Sequence, residues 1–321
     1  MSRTLMLMTT AIVIGIGLKV AVAQPYSDIF VFGDSLSDAG NMLIATEENI
    51  PVSPPYFMGR FTNGPVWVEG LAERFGLQVA PSLAGGTNFA FGGAETAQEV
   101  EGLFEAEVGM LIPSLGLQVL NFLASDFIDH PFDGADADAL YIVWGGPNDL
   151  RKAVMAGTTD PDAEAQTVVD NLAAAIRRLA DAGAKIFLVP NLPNLGETPE
   201  SRGLGPETMA LATDLSIRFN TALHIALDTI EVASNVTIFR LDVFTLLDEA
   251  VAAPSAFGFT DVTLPCLNGD PFRGGMPCAR PEMHLFWDAI HPTTAAHAIL
   301  ANHAFMITAP LTVPPGNANL Q

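Results

Sequence analysis

Positive charge is scarce in this chain of 321 residues: Lys and Arg together number 14 against 36 Asp and Glu, a formal net charge of −22. A surface of that sign repels nucleic acid and anionic membrane, so no nucleic-acid partner is expected. It favours cationic or neutral ligands, and it serves solubility or salt adaptation equally well. Cysteine is nearly missing, with Cys266 and Cys278 the only two. Two cysteines without a paired-histidine motif nearby do not make a zinc cage, and no metal is expected. After residue 23 no apolar run reaches the length of a membrane-spanning helix, so the mature chain is expected to carry no transmembrane anchor. Internal repeats, linkers and composition breaks are missing as well, which points to a single domain.

The first 23 residues read differently. Arg3 precedes the apolar run Leu5 to Leu18, and Ala21-Val22-Ala23 forms a small-residue cleavage site before Gln24. This is the pattern of a secretory signal peptide, and the run, followed by Lys19, is short for a membrane span. Residues 1–23 are therefore expected to leave on export to the periplasm or the medium. Arg3 and Lys19 leave with them, so 12 basic residues face 36 acidic ones and the charge becomes −24. In an oxidising compartment Cys266 and Cys278 are expected to pair. Residues 24–309 are expected to form the domain, and 310–321 a mobile tail.

Hydrophobic residues make up 49% of the chain, and their pattern alternates between two periods. Short apolar runs at 29–32, 86–91, 139–144, 185–190 and 236–241 read as strands. Helical spacing marks 35–44, 66–75, 111–127, 163–182, 206–233 and a last helix starting near Pro292. Residues 47–64 and 253–286 are rich in Pro and Gly and read as loops. Such alternation predicts an α/β fold, a parallel sheet covered on both faces.

In such a sheet, ligands bind at the carboxyl ends of the strands. Ser35 follows the first strand in Phe32-Gly33-Asp34-Ser35, Gly92-Gly93 follows the second, and Asn148 follows the third. A serine where strand passes to helix is either a nucleophile beside helix amides or simply a helix cap. Glycines let the backbone approach a ligand or make a plain turn; Asn148 donates from its side chain or belongs to a cap. Asp288 and His291 stand three apart before Pro292, where a turn brings carboxylate and imidazole together. A serine base needs a neutral imidazole whose other nitrogen is held by an acceptor. His224, His297 and His303 fall on predicted helices and read as structural or surface residues.

Taken together, these blocks resemble the SGNH (GDSL) hydrolase family. The matching segments are Gly33-Asp34-Ser35-Leu36-Ser37-Asp38, Asn88 to Ala94, Gly146-Pro147-Asn148-Asp149 and Asp288-Ala289-Ile290-His291-Pro292. Gly59 to Trp67 also resembles a segment of the secreted lipase-like members. The resemblance implies a three-layer α/β/α sandwich of flavodoxin type with about five parallel strands. It implies Ser35 as nucleophile, His291 as base and Asp288 as its partner. The amides of Ser35 and Gly93, or Gly92 in its place, would form the oxyanion hole with Asn148. No cofactor is implied. The expected reaction is carboxylic ester hydrolysis through an acyl-enzyme, on small-molecule or lipid esters with short- to medium-chain acyl groups. Phospholipid, lysophospholipid and choline esters are alternatives within the family.

Phe57, Phe61, Trp67, Phe89 and Trp287 are candidates for an apolar pocket, though such spacings more often mark core. Trp287 beside the acid–base pair would suit a cationic alcohol through cation–π contact. An exported binding protein without turnover would not need the full Ser, Gly, Asn, Asp, His set. A phosphoesterase would call for metal clusters or Arg and Lys at the strand ends, which carry few.

Overall fold

The first strand, β1 (Ile29–Gly33), leads into two short helices, α1 (Asn41–Ala45) and α2 (Trp67–Arg74). A small antiparallel pair, β2 (Leu103–Glu105) and β3 (Met110–Ile112), precedes α3 (Leu115–Asp129). Next come β4 (Leu140–Trp144), α4 (Pro147–Ala156), α5 (Pro161–Ala182) and β5 (Ile186–Pro190). They are followed by α6 (Pro199–Leu204), α7 (Pro206–Ser234), β6 (Thr237–Leu241) and α8 (Val243–Ala252). The short strands β7 (Asp261–Pro265), β8 (Leu267–Asp270), β9 (Gly274–Pro277) and β10 (His284–Phe286) lead to the last helix, α9 (Thr294–Thr308). This is a computed structural model that describes residues 25–97, 103–105, 110–129 and 134–309. The expected leader, 1–23, and tail, 310–321, lie outside the described residues.

The central sheet is parallel, with order β1-β4-β5-β6. Each strand sends alternate side chains to opposite faces, as the two-residue period of a strand requires. Phe32, Tyr141, Val143, Phe187 and Ile238 pack under α3, α5 and α7, while Val31, Ile142, Trp144, Leu188 and Leu241 pack under α2, α8 and α9. All five residues of β4 are buried, since both faces of a central strand are covered. Burying large side chains such as Trp67, Tyr141, Phe187 and Phe219 contributes about 1.5–3 kcal/mol each. Helix α5 shows how the sequence sets the layers. Asp160 caps it by accepting from the Ala163 amide, Pro161 fits its first turn, and Gly183 ends it. Its buried stripe of Val168, Val169, Leu172, Ile176 and Leu179 has helical spacing and meets the sheet and α7.

The sheet has four strands where about five were expected. The missing one, at 86–91, is an extended segment along the free edge of β1. Val31 N donates to Thr87 O at 3.0 Å, and the Phe89 and Phe91 amides donate back to Val31 O and Gly33 O. Its other side is tied to residues 80–82, where the Asn88 amide donates to Ala80 O and Asn88 O accepts from Ser82 N. Counted as an edge strand, it gives the flavodoxin-like order, with the reversal between β1 and β4. Gly33 is required at that junction, because a Cβ there would stand 2.3 Å from Trp144 O.

Other boundaries also moved. Residues 35–40 are turn and only α1 is helical; the helix read from Leu111 starts at Leu115, because β3 occupies 110–112. The loop read at 253–286 holds the parallel pair β7–β10 and the hairpin β8–β9. Its glycines fit that hairpin closely: a Cβ on Gly269 would lie 1.9 Å from Gly274 O. α8 arises where no element was marked, and α9 is capped by Thr293 rather than started at Pro292.

Candidate active site

Ser35 stands in the turn directly after β1. Asp34 O accepts the amides of Ser37 and Asp38, and Asp34 Oδ1 accepts Leu36 N at 2.9 Å. The expected helix behind Ser35 is absent, so local turn amides, rather than a helix macrodipole, are what this position offers. Asp34 is buried, and its Oδ2 has no hydrogen-bond partner. Burial pushes its carboxyl up to about 7, against the Leu36 amide that favours the anion.

Asp38 ties this turn to the next strand end. It accepts the amides of Gly40 (2.7 Å), Asn41 (2.7 Å), Met42 (3.1 Å) and Gly92 (2.9 Å). Asn41 Nδ2 donates to Asn88 O and Ala90 O, and Asn88 Nδ2 donates to Ser37 O at 2.7 Å. The Gly92 amide is thus committed to Asp38, and a Cβ on Gly92 would lie 2.3 Å from the Phe61 ring. Gly93 has φ +79°, a backbone conformation that favours glycine. Beyond it, Asn148 Nδ2 donates to Ala94 O at 3.0 Å. Asp149 accepts from both the amide and the hydroxyl of Thr96, at 3.1 and 2.9 Å. The start of α4 therefore fixes the segment that follows Gly93.

The third group comes from the far end of the chain. Asp288 Oδ1 accepts the amides of Ile290 (2.9 Å) and His291 (2.8 Å), the local turn typical of Asp. Its Oδ2 lies 2.7 Å from His291 Nδ1, and His291 Nε2 lies 2.9 Å from Ser35 Oγ. All three side chains are buried, with Ser35 at 7%, Asp288 at 2% and His291 at 4% exposure. Burial opposes ionisation of Asp288, but His291, the Tyr56 hydroxyl and the Ile290 amide outweigh it and hold the carboxyl below its usual range. An ionised Asp288 accepts a hydrogen bond from Nδ1–H and leaves Nε2 to accept from the serine hydroxyl. That arrangement can deprotonate Ser35 as it attacks a carbonyl carbon.

Two interactions brace the turn from behind. Leu267 N donates to Trp287 O at 2.6 Å, and Trp287 N donates to His291 O at 2.7 Å. Cys266 and Cys278 are joined in a disulfide, with Cα atoms 4.9 Å apart, across the β8–β9 hairpin. Trp287, expected against substrate, lies in this cluster with Tyr56, Cys266 and Leu267, and is 2% exposed. It does not line the cavity beside Ser35, so it offers no cation–π contact to a ligand there.

That cavity holds about 1200 Å³, its open mouth included, and runs from Ser35, Asn148 and His291 towards α8 and α9. Leu246, Leu247, Phe257, Phe259, Phe286 and Ile299 give it an apolar wall. None of Phe57, Phe61, Trp67, Phe89 and Trp287 belongs to that wall: Phe61, Trp67 and Trp287 are core, Phe89 packs beside the core, and Phe57 is at the surface. His297, read as structural or surface, is buried at the cavity wall and accepts from Trp67 N at 3.2 Å. Burial, and secondarily His291, push it down to about 3, so it stays neutral.

Sequence reasoning missed Tyr56, whose hydroxyl donates to Asp288 Oδ2 at 2.6 Å. The signal was there. A tyrosine in an apolar stretch, Pro54-Pro55-Tyr56-Phe57, must find a partner for its hydroxyl once buried.

The chain is a carboxylic ester hydrolase of the α/β class. It belongs to the GDSL-like lipase/acylhydrolase family, whose model matches residues 29–304. It is 29% identical to the phosphatidylcholine-sterol acyltransferase of Aeromonas hydrophila, over 91% of this chain and 93% of that one. It is 30% identical to a GDSL esterase/lipase of Arabidopsis thaliana, over 87% and 86% of the two chains. Esterase EstA of Pseudomonas aeruginosa is 31% identical over 93% of this chain, which spans only 50% of that longer protein.

Proposed function

We propose that the chain is an exported serine esterase in which Ser35 is the nucleophile, His291 the general base and Asp288 the group that orients and stabilises His291. The observation that carries the reading is the unbroken relay from Ser35 Oγ to Nε2 (2.9 Å) and from Nδ1 to Asp288 Oδ2 (2.7 Å). Nε2 takes the hydroxyl proton as Oγ attacks the ester carbonyl, and the carbonyl oxygen becomes an oxyanion. The amides of Ser35 and Gly93 and the Asn148 side chain receive that oxyanion. Gly93 is preferred to Gly92 because the Gly92 amide is already donating to Asp38. His291 then protonates the leaving alcohol. Water, deprotonated by the same nitrogen, releases the acid from Ser35.

An apolar cavity opening at Ser35 supports an acyl group of short to medium length as the part bound there. A phospholipid or lysophospholipid remains the second reading, favoured by the likeness to an acyltransferase named for phosphatidylcholine. With Trp287 buried, the choline-ester reading keeps only the acidic composition of the chain in its favour. A phosphoesterase reading gains little from Arg151 at the cavity wall, because Glu200 pairs with it at 2.6 Å. The leader pattern at 1–23 and the disulfide support export, and among the described residues no helix is long and apolar enough to cross a membrane. The test is a panel of p-nitrophenyl esters of rising chain length with a phospholipid beside it. Highest kcat/KM on short or medium p-nitrophenyl esters supports the reading; preference for the phospholipid would replace it with the second.

A further inference from the structure

We propose that Tyr56 is a positioning residue for ester hydrolysis: its phenol shares Asp288 Oδ2 with His291, fixing the carboxylate and dividing its charge between two donors. The inference rests on the Ser35–His291–Asp288 reading above.

Tyr56 reaches Asp288 from 232 positions away in sequence, at 2.6 Å. With it, Asp288 accepts four hydrogen bonds, two amides on Oδ1 and Tyr56 and His291 on Oδ2. A carboxylate offers about four acceptor sites, so this one is filled, which is what a fully buried anion requires. Tyr56 itself is 2% exposed and has no freedom to leave. Its ring meets Trp287 edge-on at 6.1 Å and Phe61 at 6.5 Å, and Phe61 in turn lies 5.3 Å from the His291 ring. Its backbone is held too, since Tyr56 N donates to Val52 O and Val52 N donates to Pro271 O beside the disulfide hairpin.

Burial, and next the charge of Asp288, push the phenol's pKa upward, so Tyr56 stays a donor across the working pH range. The other titratable groups facing this cluster are Asp34 and His297 towards His291, and Asp270 towards Tyr56. A phenylalanine would keep the packing and remove only the donor. Undivided, the Asp288 charge would act on the His291 ring alone and favour its imidazolium form more strongly.

The experiment compares kcat/KM against pH for wild type, Tyr56→Phe and a protein carrying 3-fluorotyrosine at position 56, on a soluble p-nitrophenyl ester. Tyr56→Phe is expected to lower plateau kcat about tenfold, within the range typical of lost supporting hydrogen bonds, with KM little changed. Its acid limb is expected to move up by about half a pH unit or more. Fluorotyrosine, a stronger donor of nearly equal size, is expected to move the limb down. Profiles that superimpose on wild type would overturn the proposal, leaving Tyr56 as packing alone. Should Tyr56→Phe fail to fold, the fluorotyrosine arm decides. Ser35→Ala runs in parallel: an active Ser35→Ala sinks the triad and this inference with it. An inactive one with unmoved limbs sinks only the role of Tyr56.

Discussion

Asp38 Oδ2 accepts the Gly92 amide at 2.9 Å, which makes the Ser35 turn and the segment bearing Gly93 one hydrogen-bonded unit. The same oxygen accepts Met42 N, while Oδ1 accepts Gly40 N and Asn41 N. Asp38→Asn places an NH₂ where two amides must donate. Loss of those bonds in a buried site is expected to cost about 1–3 kcal/mol of stability. It should also lower kcat at least tenfold by loosening Gly93 from Ser35. Urea unfolding and steady-state kinetics on the same preparation check both.

Asn148 is tested apart from folding. Among the described residues its side chain donates to Ala94 O, so Asn148→Ala is expected to cost only about 1 kcal/mol. If it donates to the oxyanion, kcat falls about 10²–10³-fold with KM little changed. A folded variant with near-normal kcat would remove Asn148 from the oxyanion hole.

Stability is expected to rise as pH falls from about 8 to about 5. Burial raises Asp34 to about 7, and Asp38 and Asp149 to about 6, against a reference of 3.8. Between those values the native state binds protons that the unfolded chain does not, so stability falls as pH rises through the folded pKa. Asp288 has the opposite sign: its carboxyl is lowered, and its contribution is lost in acid, below the reference value. Relief of net negative charge acts in the same direction as Asp34, so Asp34→Asn provides the control. Its Tm should depend less on pH between about 5 and 8 than that of wild type, as read by thermal melts in a pH series.

The β8–β9 hairpin is hydrogen-bonded to the residue before Asp288 and closed by Cys266–Cys278. Closing a loop of that size removes on the order of 3 kcal/mol of unfolded-state entropy in the chain-entropy model. Reduction, or Cys266→Ser with Cys278→Ser, is expected to lower Tm and kcat together, while Ser35 stays accessible to small labels. Unchanged kcat after complete reduction would separate the hairpin from the Asp288–His291 turn.

Much of this was legible because it is local. Apolar runs ending in Gly33, Gly92 and Gly145-Gly146 mark strand ends, and the carboxyl ends of parallel strands are where such a sheet places its ligands. The Asp288–His291 contact lies within a single turn, so spacing alone suggests it. What stayed hidden depends on distant partners. Tyr56 meets Asp288 only because the loop at 51–59 folds over the disulfide hairpin, and no periodicity records that. The cavity wall draws on α8, β10 and α9, whose apolar residues look like ordinary core in sequence. The segment at 86–91 reads as a strand and is hydrogen-bonded like one, to β1 through Thr87, Phe89 and Phe91 and to residues 80–82 through Asn88, but it pairs only as isolated bridges at Asn88.

The central claim is that Ser35 is the nucleophile, and covalent labelling tests it most directly. The purified protein is treated with diethyl p-nitrophenyl phosphate, the released nitrophenol is counted, and the modified peptide is mapped by mass. One equivalent on the peptide containing Ser35, activity lost in proportion, and no labelling or turnover in folded Ser35→Ala are the predicted result. Labelling at another serine, or a folded Ser35→Ala that keeps a tenth or more of wild-type kcat, would contradict it.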